Sequence, residues 1–168
     1  GRLEQLAKFW EDVATQNETV FSERVLRQLG VLRFAPNGMW TYLLSVYYLH
    51  NMDADNLLDD KKLYHFLNTI TLFIWAYAIM RPGVNALRTP TYPEMIQIVK
   101  DKPVQFDNNK FDKESLLTAL NNYEFTNGRL ITKSMLAWWM YHNPKQEIIL
   151  AESNMEVKHV YSKKRQEN

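Results

Sequence analysis

The stretch of residues 59–80 reads DDKKLYHFLNTITLFIWAYAIM. Its apolar residues recur at spacings of three and four, as they do on one face of a helix: Leu63, Phe66, Leu67, Ile70, Phe73, Ile74 and Tyr77. The sequence Arg81-Pro82-Gly83 follows and predicts the end of this helix. The apolar run Ile70–Met80 is well short of the roughly 20 residues that cross a bilayer. The stretch therefore predicts a long, buried helix at the centre of a helical protein.

Three shorter amphipathic helices are predicted before this one, with their apolar positions in the ranges Leu3–Val13, Phe21–Leu32 and Trp40–Tyr47. Asn17 or Thr19 is the expected N-cap of the second helix, and Pro36-Asn37-Gly38 is its expected end. The polar, acidic stretch 51–56 predicts a loop after the third helix.

Three further helices are predicted after the central one. Pro93 suits the first turn of the fifth helix, because a proline there removes no hydrogen bond. The apolar stripe expected to face the core in that helix is Met95, Ile96 and Val99. Asp112 and Thr132 suit the N-caps of the sixth and seventh helices. The predicted class is mainly α, an irregular bundle of about seven helices.

The character of the chain changes after Pro144. Glu147–Leu150 and Glu156–Tyr161 are short runs rich in β-branched or apolar residues, separated by Glu152-Ser153-Asn154. We expect a helical domain over residues 1–144 and a second element, with a short β segment, over residues 145–168.

Overall charge gives the whole chain no strong pull toward nucleic acid or a membrane, since 20 Lys and Arg oppose 19 Asp and Glu. The sequence has no cysteine, which excludes disulfides and thiolate metal sites. The first residues lack the features of a signal peptide. We therefore expect a cytoplasmic protein with no membrane partner.

Catalytic and metal-binding motifs are not found among the predicted helices. The four histidines, at positions 50, 65, 142 and 159, do not have metal-ligand spacing. The acidic group Asp53, Asp55, Asp59 and Asp60 is better explained by helix capping than by a metal. Trp138, Trp139 and Tyr141 have the residue types that stack on bases, but aromatic residues at helical spacing more often pack in a core.

The C-terminal residues concentrate positive charge: Lys158, Lys163, Lys164 and Arg165 lie within the last eleven residues. Such a cluster is able to contact phosphates even when the whole chain is nearly neutral. Lys163, Lys164 and Arg165 are therefore candidate nucleic-acid-binding residues, although a solvated tail has the same composition.

Two stretches resemble the GmrSD-like restriction proteins, in which a ParB-like domain, a helical middle region and an HNH nuclease domain are joined. Residues 127–139, NGRLITKSMLAWW, resemble the last helix of the middle region. Residues 156–167, EVKHVYSKKRQE, are similar to the start of the nuclease motif and the basic stretch that follows it. The resemblance implies that this chain is the helical connector and the truncated start of the HNH domain.

The resemblance assigns His159 the role of general base on the attacking water. Two positions depart from the family pattern: Lys158 stands where an acidic metal ligand is usual, and Ser162 stands where proline is usual. The motif also requires later residues, and the sequence stops at Asn168. We expect no catalysis and no metal or cofactor in this chain itself. A divalent metal and a nucleotide are implied for the parent protein only.

Two functions follow from these observations. The first is a connector in a DNA-targeting restriction protein of phage defence, with the missing N-terminal and C-terminal domains as its partners and DNA as a further one. The second is a stand-alone helical module for protein–protein interaction with no catalytic role, in which Trp138 and Trp139 belong to the contact surface.

Overall fold

The computed structural model describes residues 1–36, 38–81, 88–107, 110–124 and 130–141. Within these ranges the secondary structure is helical, with turns and loops between the helices, and the predicted mainly α class is confirmed. The seven helices are α1 (Arg2–Ala14), α2 (Glu23–Arg33), α3 (Met39–Asn51), α4 (Asp60–Met80), α5 (Arg88–Val99), α6 (Lys113–Asn121) and α7 (Leu130–Tyr141). The predicted β segment and the domain boundary near residue 144 lie outside the described residues.

The central helix, α4, begins and ends where the sequence predicts. The side chain of Asp59 accepts a hydrogen bond from the backbone N–H of Lys62 at 2.9 Å, as an N-cap does. By length and composition α4 is also able to span a membrane, with a mean hydropathy of 1.4. Over that window 56% of the helix is buried inside the described structure, which is what a core helix shows.

The helices pack in pairs around α2 and α4. Helix α2 packs against α4 and α7, α3 packs against α5 and α1, and α6 packs against α4. Aromatic stacking reinforces this core: the rings of Phe9 and Tyr48 lie 4.3 Å apart and those of Tyr47 and Phe66 4.2 Å apart. Each such pair adds about 0.5–1.5 kcal/mol beyond the area it buries.

Helix α2 is buried on almost every side, from Val25 to Leu32, and it therefore carries a polar residue into the core. Gln28 is 5% exposed, and its amide donates to the hydroxyl of Thr71 on α4 at 2.7 Å. Thr71 in turn donates to the carbonyl of Leu67 at 2.7 Å. This chain of hydrogen bonds satisfies Gln28 and fixes how α2 lies on α4.

The predicted N-caps are partly right. Asp112 caps α6 by accepting the N–H of Ser115 at 3.0 Å, as predicted. The prediction for α2 is wrong: Ser22 is its cap, and its hydroxyl also binds the carboxylate of Asp60. The prediction for α7 is also wrong, because the helix begins at Leu130 and Thr132 lies buried inside it.

The predictions for α5 also need correction. The helix begins at Arg88, so Pro93 lies inside it rather than in its first turn. The predicted stripe does not face the core as a unit, since Ile96 and Val99 are 54% and 59% exposed. The buried apolar residue in the last turn is Ile98 instead.

The first turn of α4 is tied to α2 through Asp60, and this link is expected to depend on pH. Its carboxylate accepts from the hydroxyl of Ser22 and from Arg24, with the shorter Arg24 distance at 2.7 Å. Burial raises the pKa of Asp60, but the hydrogen bonds from Ser22 and Arg24 and the charge of Arg24 outweigh it and lower the pKa overall. The ionised form of Asp60 therefore stabilises the fold.

We predict that Asp60→Asn lowers the free energy of unfolding by about 0.5–1 kcal/mol at pH 7, a small value because the pair is partly exposed. The contribution is fully present above the unfolded pKa of about 3.9 and is lost as the pH falls through the lower folded value. Urea denaturation of both chains at pH 7 and in a series down to acid measures it. The control is Asp55→Asn, whose side chain is exposed. Equal stability of D60N and the wild type at pH 7 contradicts the prediction.

Candidate functional site

The residues predicted to act on nucleic acid, His159, Lys163, Lys164 and Arg165, lie outside the described residues. Their roles stay predictions. The described helix nearest to them in sequence is α7. The contacts that attach α7 to the other helices are therefore the described contacts closest to these residues along the chain.

The seat of α7, which we define as Val31, Trp75, Ser134 and Trp138, joins three helices by buried contacts. The indole N–H of Trp75 on α4 donates to the hydroxyl of Ser134 at 2.9 Å. That hydroxyl donates to the carbonyl of Val31 on α2 at 3.0 Å. Ser134 is 1% exposed, so these bonds form in a region of low dielectric where a lost partner is costly.

Trp138 completes the seat from the same face of α7, one turn after Ser134. Its ring meets that of Trp75 edge-on, with centroids 6.0 Å apart and an angle of 87°. Trp138 is 37% exposed, so one side of it packs on α4 and the other faces outward. The side chains of Trp139 and Tyr141 lie outside the described residues. The prediction that Trp138 packs in the core is therefore right for the side of its ring that contacts Trp75, whereas the other side is exposed.

Within the acidic group before α4, Asp59 caps the helix as predicted, whereas Asp53 and Asp60 make other contacts. Asp53 accepts the N–H groups of Asp55 and Leu57 at 2.8 and 3.0 Å, which closes the loop. Asp59 caps α4, and Asp60 binds α2. Across the described part of the chain, no group of three or more His, Asp or Glu side chains is arranged to hold a metal ion.

The two described histidines have structural surroundings. The ring of His50, at the end of α3, lies 2.7 Å from a carboxylate oxygen of Asp101, which follows α5. His65 lies on the exposed face of α4. The contact of His50 with Asp101 joins the end of α3 to the residues that follow α5.

A groove between α1, α2 and α3 has a volume of about 80 Å³. It is mainly apolar and is lined by Val13, Ala14, Gln16, Leu26, Leu29, Gly30, Arg33 and Trp40. Small-molecule sites usually enclose about 300–1,000 Å³, so this groove is too small for a cofactor or a substrate of that kind.

Sequence reasoning missed the seat of α7 and the buried carboxyl of Glu94, which is 5% exposed. A serine next to apolar residues carries no signal for a hydrogen bond to a tryptophan 59 positions away. Glu94 carries no signal for burial either, since a carboxylate off the predicted apolar stripe is expected at the surface.

Comparisons with models of known protein families, with curated proteins and with solved structures found no match to this chain.

We predict that Ser134→Ala lowers the free energy of unfolding by about 1–3 kcal/mol, because the buried indole N–H of Trp75 loses its acceptor. In a Trp75→Phe background the same change is expected to cost less, since no N–H group is left to satisfy. Chemical denaturation of the four chains of this double-mutant cycle measures the difference.

The matched control is Thr69→Ala, which removes a hydroxyl that donates to the carbonyl of His65 in its own helix at 3.0 Å. We expect a change within about 0.5 kcal/mol there. If S134A costs no more than T69A, or costs the same in both backgrounds, the seat of α7 does not hold as described.

Proposed function

We propose that this chain is the helical connector of a DNA-targeting restriction protein of the GmrSD type, acting in phage defence. The observation that carries the proposal is the seat of α7. This helix contains most of the stretch that resembles the end of the family's middle region, and it precedes the HNH-like residues 156–167 in the sequence. Buried hydrogen bonds fix it to both α2 and α4.

A connector keeps two domains in a fixed relative position only if it is rigid at the ends where those domains join it. The first helix meets this need as α7 does. Arg2 donates to the carbonyl of Leu49 at 2.8 Å, and the indole N–H of Trp10 donates to the hydroxyl of Ser45 at 2.9 Å. Both ends of the described chain are therefore attached to the helical core by side-chain bonds across long sequence separations.

In this proposal the chemistry belongs to the parent protein, which works in the cytoplasm. His159 is the general base of the HNH domain and needs residues beyond Asn168 to complete a site. Lys158 does not suit a metal ligand, because its ammonium group is a donor only. The divalent metal and the nucleotide are accordingly partners of the whole protein, and this chain by itself is not expected to cleave DNA.

We predict weak binding of this chain to DNA at low salt through Lys163, Lys164 and Arg165. Replacing all three by Gln removes three phosphate-pairing charges. The slope of log K against log salt is then expected to fall by about 2–3, and the affinity with it. Electrophoretic mobility shifts over a salt series with a random duplex measure both.

The control replaces the exposed Lys61, Lys62 and Lys113 by Gln, which changes the net charge equally but on the helical domain. We expect this variant to bind as the wild type does. Binding that is unaffected by the tail changes, or reduced equally by both triples, excludes the tail as the DNA contact.

A second function, a helical module for protein–protein interaction, is favoured by the outer face of α5. We define this face as Tyr92, Ile96 and Val99, which are 53%, 54% and 59% exposed and lie one helical turn apart. Contiguous exposed apolar side chains on one helix are typical of a contact surface.

If this second function is correct, the chain self-associates at high concentration through the outer face of α5, and Ile96→Asp abolishes the association. Sedimentation velocity over a concentration series measures it. The control is Leu72→Asp, which changes an exposed apolar residue of α4 that is 62% exposed. A chain that stays monomeric at high concentration, or one that L72D disrupts equally, counts against this surface.

A further inference from the structure

Helix α3 lies between α1 and α5, and the three helices form one layer on the core. Toward α1, the hydroxyl of Ser45 accepts the indole N–H of Trp10 at 2.9 Å. Toward the end of α5, the ring of His50 lies 2.7 Å from a carboxylate oxygen of Asp101. At about 100° per residue, Ser45 and His50 are about 140° apart around α3. The two neighbouring helices therefore lie on different sides of α3.

The side of α3 that points away from the core is apolar. The core side is marked by the buried residues of this helix, which are Trp40, Leu43, Leu44 and Tyr48. Tyr42 lies on the opposite side and is 61% exposed. Val46 follows one turn later on that side and is partly exposed. The middle helix of the layer therefore presents apolar side chains to solvent.

Helix α5 continues this apolar surface on one side of α3. Its core side is marked by Thr91, Glu94 and Ile98, which are buried. The outer face of α5 points the other way and is more than half exposed at each of its three positions. Because α3 and α5 lie on the same core, their outward sides form one surface.

Helix α1 continues the surface on the other side of α3. Leu3 lies two turns before Trp10 and so on the same side of α1, next to α3. It is 82% exposed. We define the three-helix face as Leu3, Tyr42, Val46, Tyr92, Ile96 and Val99.

The three-helix face is large enough for a weak, specific interface. Helices pack about 8–10 Å apart, so three of them side by side are about 25–30 Å wide. Helix α3 has 13 residues, which makes it about 20 Å long. The face therefore covers about 500–600 Å². Interfaces of weak complexes bury up to about 600 Å² per partner, an area that the outer face of α5 does not reach alone.

Opposite charges lie at the two edges of this layer and at the same end of it. Arg2 donates to the carbonyl of Leu49 at 2.8 Å, which places the first turn of α1, with Glu4, beside the C-terminal end of α3. The contact at His50 places the end of α5 beside the same end of α3, and Lys100 follows that helix. Glu4 and Lys100 are both exposed. One edge therefore carries a negative charge and the other a positive charge.

We propose that the three-helix face binds a second copy of this chain, with the two copies related by a two-fold axis parallel to α3. The proposal rests on the second function, the interaction module, and names its partner. Rotation about this axis places α3 against α3 and the α1 edge of each copy against the α5 edge of the other. Positions along α3 do not change in the rotation. Glu4 of each copy therefore meets Lys100 of the other, and Leu3 meets Val99.

The apolar part of the contact is tested by Leu3→Asp and Tyr42→Asp, which place a charge in the interface from α1 and from α3. We expect each variant to lower the association constant at least tenfold, because the charge is desolvated when the copies meet. Sedimentation velocity over a concentration series measures the constant. The control is Leu117→Asp, at a position of α6 that is 48% exposed and outside the face, which keeps the wild-type constant.

The two-fold arrangement is tested by exchanging the charges at the edges. Glu4→Lys and Lys100→Glu each turn two attractive contacts into repulsive ones, and each is expected to lower the association constant about two- to tenfold at low salt. The double variant restores attraction, so its constant returns to the wild-type value. Glu4 also lies 3.2 Å from the terminal ammonium group. Because that contact is lost in E4K and in the double variant alike, the restoration reports the pair between copies.

The control for the exchange is Glu114→Lys, in the first turn of α6, which does not restore association when it is combined with K100E. Association that I96D disrupts while L3D and Y42D leave it unchanged keeps the second function and overturns the three-helix face. Association without restoration in the double variant overturns the two-fold arrangement. A chain that stays monomeric at every concentration excludes the second function and this inference together.

Discussion

The burial of α2 determines which hydrogen bonds hold α4 and α7 against it. Except for Arg27, its residues from Val25 to Leu32 are buried, so their polar groups have little access to water. Each polar group inside such a helix must find a partner in the neighbours or destabilise the fold. Gln28 finds Thr71 on α4, and the carbonyl of Val31 accepts from Ser134 on α7. The positions of α4 and α7 are thus set by hydrogen bonds as well as by packing.

Buried hydrogen bonds of this kind fix the relative position of two helices whose contact is otherwise apolar. Leucine and isoleucine side chains tolerate small shifts of one helix along another, since dispersion contacts are not directional. A donor that must meet one acceptor does not tolerate the shift. The link from Trp75 through Ser134 to Val31 joins three helices at once, so a shift of any one of them breaks at least one bond.

The sequence predicts the elements that local rules control. The helical period and the cap at Asp59 gave α4 almost to the residue, and Asp112 gave the start of α6. The N-cap predicted for α2 is wrong because several residues able to cap a helix lie close together in the sequence. Ser22 is the cap in the structure, where its hydroxyl also binds Asp60 of α4. The face of α5 predicted to lie against the core is also wrong. Its apolar residues alone suggest an inner face, but Thr91 and Glu94 are buried there instead.

The two surfaces that bear on function differ in what they imply about the whole protein. The seat of α7 is internal, and it supports a connector because it fixes the helix that precedes the basic C-terminal residues. The outer face of α5 is external, and an apolar surface of three side chains is small compared with the roughly 800 Å² per partner of a stable interface. A tethered domain needs less area than a free partner, because the tether supplies a high effective concentration. Under the proposed connector function, the small size of this face suits contact with a tethered domain better than contact with an independent protein.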